Sequence, residues 1–97
     1  MKTIAQRVQA GIRFLDKRYR KKWRKKITLR TLDVGNCRLC PLGQTGGDYE
    51  VHARKLGIWK DGLLERENLG FTGSFFEMDL LTSAWKKALK GKVGRNA

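Results

Sequence analysis

The sequence predicts a mainly α-helical fold, a small single-domain bundle of about four helices, and three observations predict it. Apolar residues recur at three- and four-residue steps through the first 27 residues and again between Leu80 and Ala88. Capping boxes, Thr3-Ile4-Ala5-Gln6 and Ser74-Phe75-Phe76-Glu77, head both stretches. Glycines at 57 and 70 follow shorter apolar-periodic segments, where a left-handed residue ends a helix. A chain of 97 residues makes one domain, 1–97, with a thin core.

Thr3 is the N-cap of the first helix, with Gln6 reaching back to it. Ile4, Val8, Ile12, Leu15, Tyr19, Trp23 and Ile27 then share an arc of about 140° at roughly 100° per residue. Lys17, Arg20, Lys21 and Arg24 fall on the opposite side, whereas Lys22 and Lys26 land inside the apolar arc. An unbroken helix would bury both lysines. The helix is therefore expected to break near 18–22, with a second short helix holding Trp23. Ile27-Thr28-Leu29-Arg30-Thr31-Leu32 starts in alternation, which allows a short strand or hairpin near 27–35, and Asp33-Val34-Gly35-Asn36 reads as a turn.

Pro41 suits the first position of a helix, and Leu42, Gly46, Tyr49, Ala53 and Leu56 continue at helical steps. Gly43, Gly46 and Gly47 each weaken a helix by roughly 1 kcal/mol against alanine. Either a neighbour packs closely there or the helix begins near Asp48. A short helix over about 61–69 stops at Gly70. In the last helix Leu80, Leu81, Ala84, Trp85 and Ala88 fill one face and Lys86, Lys87 and Lys90 the other. Gly91 closes it, and its lysines complement the negative end of the helix dipole.

Composition excludes several classes. With 40% hydrophobic and 32% charged residues the chain is neither disordered nor fibrous, and 2 cysteines do not make a disulfide scaffold. No apolar run approaches the roughly 18 residues of a membrane span. Met-Lys-Thr-Ile-Ala-Gln-Arg lacks a signal-peptide core, so a cytoplasmic protein with reduced cysteines is expected.

The net charge of +13 is segregated. Residues 1–30 hold twelve Lys or Arg against one acid, Asp16; residues 31–85 hold five against eight; residues 86–97 hold five and no acid. The basic ends, 1–30 and 86–97, thus flank a mildly acidic middle, a footprint for an anionic partner. Lys17, Arg18, Arg20, Lys21, Lys22, Arg24, Lys25 and Lys26 fall within ten residues, and Tyr19 and Trp23 interrupt them. Helical spacing assigns both aromatics to the core, although bases can stack on such rings. These eight, with Lys86, Lys87 and Lys90, are the candidate anion-binding residues.

Cys37-Arg38-Leu39-Cys40-Pro41 supplies half of a tetrahedral zinc site, but His52 is the only histidine and a fourth ligand would have to be a carboxylate such as Asp48. A redox dithiol expects a βαβ setting that the pattern lacks. Free thiols serving as small apolar residues are the simplest account. His52 sits beside the Tyr49–Ala53–Leu56 stripe, as a boundary residue without a positioned partner. Glu65 and Glu67 cannot face each other on one helix. Gly43-Gln44-Thr45-Gly46-Gly47 lacks the Lys-Ser/Thr ending of a phosphate loop. No catalytic constellation, metal site or cofactor site emerges, so a non-enzyme is expected.

Val8, Gly11, Leu15-Asp16, Trp23, Leu32-Asp33, Cys40-Pro41-Leu42-Gly43-Gln44, Gly47, Tyr49, Leu56-Gly57, Gly70-Phe71 and Leu81-Thr82-x-x-Trp85 follow one order. That order, across roughly residues 8–85, resembles a family of small proteins of actinobacteria and their bacteriophages. The resemblance implies a phage accessory protein and assigns no site residue. The family's members are commonly acidic, and many carry Pro-Gly before the Trp where this chain has Lys21-Lys22. The basic ends are then an addition to a shared scaffold.

Three function classes follow: binding of DNA or RNA through the basic helices, antagonism of an acidic host protein, and sequestration of a small phosphorylated nucleotide by the 43–47 loop with nearby cations. Nucleic-acid binding is favoured.

Overall fold

Both capping boxes form in the computed structural model, which describes residues 2–60 and 62–90. Thr3 Oγ1 accepts the Gln6 amide at 3.1 Å and Gln6 Oε1 accepts the Thr3 amide at 2.9 Å, which starts helix α1 (Ile4–Tyr19). Ser74 and Glu77 pair in the same way at the 3₁₀ turn Phe75–Glu77, which runs into α5 (Met78–Leu89). Between them lie α2 (Pro41–Gly46), α3 (Tyr49–Lys55) and α4 (Leu63–Asn68). The chain is a small, mainly helical domain with no strand among the described residues.

α1 and α5 form the centre of the core. Arg7 meets Glu77, the N-cap of α5, and one turn later Gly11 meets Trp85 within it. Gly11 permits the approach, because a methyl group there would strike the Leu69 carbonyl and the Trp85 ring. Val8, Ile12 and Leu15 meet Leu81, Trp85 and Leu89 in one buried cluster. Trp85 Nε1 donates to the Gly70 carbonyl at 2.6 Å, and its ring stacks on Phe71 with centroids 5.8 Å apart. Gly57 and Gly70 take φ of 77° and 72°, the left-handed stops expected of them. The amides of Ile58 and Phe71 then reach back 3.0 Å to the Ala53 and Arg66 carbonyls, and both apolar side chains are buried.

Near 27–35 the expected strand or hairpin is replaced by a 3₁₀ turn, Leu29–Thr31, and a turn at Asp33–Asn36. The buried residues there are Ile27, Leu29, Leu32 and Val34. That set shifts from odd to even positions, which a continuous strand cannot do without turning one half outward. The two possibilities weighed for the 43–48 glycines both occur. α2 is a separate helix whose Gly43 lies against the Cys37 carbonyl, and α3 starts afresh at Asp48, whose carboxylate caps the Glu50 and Val51 amides. Leu80 is not in the core: it is 59% exposed beside the exposed Phe75 and Phe76, while Leu89 takes the buried position. Gly91 lies outside the described residues.

Two arginines are buried as fasteners. Arg7 donates to the Glu67 and Thr72 carbonyls and to Glu77, tying α1 to the last turn of α4 and to the segment that leads into α5. Arg66 donates to the Ile58 and Trp59 carbonyls and to the Tyr49 hydroxyl, and lies 4.4 Å over the Trp59 ring. Neither is a surface charge.

Candidate anion-binding cleft

The basic segment ends α1 where the sequence places the break. Arg20 takes φ 58°, ψ −136° and Lys21 takes φ −101°, ψ 7°, the backbone of a type II′ turn. Glycine is the usual residue at the first central position of that turn, because a Cβ is crowded at positive φ. Beyond the turn, Lys22–Lys26 form a 3₁₀ helix with Trp23 buried. Asp16, one turn before the end of α1, holds it in place. Its carboxylate accepts Trp23 Nε1 at 2.8 Å and Arg24 Nη2 at 2.6 Å.

Reversing the chain in this way opposes the end of α1 and the 3₁₀ helix to the last turn of α2 and one face of α3. The space between is a cleft of about 650 Å³. Arg18, Arg20, Lys22 and Lys26 line it from the basic segment, and Lys55 faces them from α3. No Asp or Glu lines it, and none of the five cations pairs with a carboxylate among the described residues. Like charges gathered on low-dielectric walls focus a positive potential into the space between them.

The buried Trp23 and His52 lie at its inner side, with Tyr19, Thr45, Gly46 and Val51. His52, expected at the core boundary, is only 2% exposed. Its ring lies against Gly46, where any Cβ would clash, which explains that glycine. His52 Nδ1 is 3.0 Å from the Leu42 carbonyl, which can only accept, so Nδ1 carries the proton. Nε2 then accepts, and the Tyr19 hydroxyl donates to it at 2.7 Å. Burial, opposed by the Leu42 bond and reinforced by Lys55, Lys26 and Arg18, holds the imidazole below its ordinary pKa.

The sign of the resulting pH dependence follows. Unfolded His52 takes its proton near pH 6.5 while folded His52 resists, so the unfolded state binds more protons just below that value. Stability is expected to fall as pH drops below about 6.5, and His52→Gln should flatten that segment of a melting-temperature profile. The Glu77 carboxyl, held below its usual range by the Arg7 bond, adds its own loss only at lower pH. A wild-type profile flat from pH 7 to 5.5 would contradict the neutral, buried imidazole.

The structure divides the sequence-predicted site residues. Arg18, Arg20, Lys22 and Lys26 converge on the cleft; Lys17, Lys21 and Lys25 are exposed on the same segment. Arg24 is taken by Asp16, its side chain only 11% exposed. Lys17, Arg20, Lys21 and Arg24 therefore do not share one helical face, because α1 ends before three of them. Lys86 and Lys87 sit on α5, Lys90 is its C-cap, and none of them lines the cleft. Lys55 was not singled out by sequence reasoning. Its signal was its place three residues after His52, on one face of a short helix.

Cys40 is buried at the N-cap of α2, where its sulfur accepts the Gly43 amide at 3.2 Å. A helix N-terminus lowers a thiol pKa, but burial outweighs it here and pushes the Cys40 thiol up to about 11. It is a thiol at neutral pH, while Cys37 is exposed.

Arg20 offers a separate measurement. A non-glycine residue at such a φ costs about 1–3 kcal/mol, which Arg20→Gly should largely return as a higher melting temperature. The same change removes one cleft cation and should weaken anion binding. A variant that lost stability would show that Arg20 makes a compensating native contact.

No family model, curated protein or solved structure matches this chain.

Proposed function

We propose that the protein is a non-enzymatic accessory protein of the phage type that binds nucleic acid in the host cytoplasm. The convergence on one cleft of five cations that pair with no carboxylate among the described residues, with Lys17, Lys21 and Lys25 exposed on the same segment, is the observation that carries it. Opposed cations give a phosphate chain a place to release its counterions, and such release drives sequence-independent affinity. The resemblance of its residue order to small proteins of bacteriophages suggests the accessory role. No helix among the described residues is long and apolar enough to cross a membrane. Sequence preference should be slight, since phosphate contacts position a strand without reading its bases.

The test is a salt titration of fluorescent duplex and single-stranded oligonucleotides. With about six phosphate contacts, affinity should fall around a thousandfold between 50 and 200 mM salt. Failure to bind either oligonucleotide at 50 mM would refute nucleic-acid binding and favour an acidic protein partner.

A further inference from the structure

We infer that the cleft receives the terminal phosphate of a single nucleotide, either at the end of a strand or on a free mononucleotide. This rests on the cleft being an anion site and adds which anion.

Size is the first argument. About 650 Å³ lies within the roughly 300–1,000 Å³ of clefts that enclose small ligands. A chain end or a single nucleotide fits a space of this volume whole, whereas a duplex can present to it only the phosphates along one groove edge.

Charge is the second. A phosphodiester carries one negative charge, whereas a terminal phosphate carries about −1.5 to −2 near pH 7. Five cations lining one cleft, with no carboxylate among the described residues that line it, match the more highly charged group. Arg20 strengthens the point: it lines the cleft from a backbone position that favours glycine.

The third argument is Val51. It is 61% exposed and lines the cationic cleft together with the half-buried Tyr19 ring. An apolar wall contributes nothing to inorganic phosphate, but a sugar or base can lie against it. The combination of cations and an apolar wall suits a nucleoside carrying its phosphate.

Four probes decide the matter at 50 mM salt: one single-stranded oligonucleotide with a 5′-phosphate, the same strand with a 5′-hydroxyl, adenosine 5′-monophosphate, and inorganic phosphate. The phosphorylated strand is expected to bind at least about tenfold tighter than its hydroxyl twin. Adenosine monophosphate should bind one to one and compete with it. Lys26→Gln with Lys55→Gln, both exposed side chains, should abolish the difference between the two strands. Val51→Ala should weaken adenosine monophosphate and leave inorganic phosphate unchanged. Equal affinity for the two strands would overturn the inference while leaving nucleic-acid binding intact. Equal affinity for adenosine monophosphate and inorganic phosphate would overturn the nucleoside part. Binding of the mononucleotide but of neither strand would sustain the inference with a free nucleotide as ligand and defeat the nucleic-acid function. No binding of any probe would defeat both.

Discussion

Trp85→Ala is expected to lower stability by about 3–5 kcal/mol, most of what a domain this small has. Trp85 is wholly buried, fills the approach that Gly11 opens, and stacks on Phe71. Alanine leaves a cavity that a core built around two large tryptophans cannot close by small shifts. It also strips the Gly70 carbonyl of its donor, at the left-handed residue that ends the α4 turn. Trp85→Phe narrows the comparison, because a phenyl ring keeps part of the buried volume and leaves a smaller cavity while still removing the hydrogen bond. That variant should lose about 1–3 kcal/mol. Urea unfolding measures both, and an unchanged midpoint for Trp85→Ala would overturn the packing described.

Replacing Arg18, Lys22, Lys26 and Lys55 together by glutamine should abolish most nucleic-acid binding with little change in stability. If the cleft takes only one terminal phosphate, the slope of log affinity against log salt flattens by up to about two units; if a strand runs through it with one phosphate on each cation, it flattens by roughly four. In the second case about a hundredfold of the salt-driven loss between 50 and 200 mM disappears. Replacing Lys17, Lys21 and Lys25 instead should have a smaller effect, since these surround no cavity. Arg24→Gln should act the other way, on melting temperature rather than binding, because its partner is Asp16. A cleft variant that bound like the parent would move the interface elsewhere.

Local chemistry made much of the fold legible. Two capping boxes, Pro41 at a helix start and the glycine stops at 57 and 70 each depend on residues a few positions apart, and the sequence shows them directly. The break near residue 20 was also legible, because an unbroken helix would have buried Lys22 and Lys26. Long-range pairings were not. Tyr19 and His52 are 33 residues apart, and no periodicity brings them together. Counting basic residues located the cationic segment but could not separate those that bind from those that build. Arg7, Arg24 and Arg66 count in the net charge and are held by carbonyls, carboxylates and rings. Leu80 shows the converse error: a wide apolar arc was read as wholly buried, and α5 buries only its Leu81–Trp85–Leu89 edge.

Asp16, the lone acid of the first thirty residues, has a consequence for motion. Its two hydrogen bonds hold the 3₁₀ helix that forms one wall of the cleft, while Lys55 on the opposite wall repels the four cations of the basic segment. Local opening of that wall is expected to cost less than the separation of α1 from α5, because only Trp23 of the 3₁₀ helix is buried. Amides at 24 and 27, bonded only within the segment, should exchange with solvent sooner than those of α1. A bound anion cancels the repulsion and should slow that exchange, so occupancy and local order rise together.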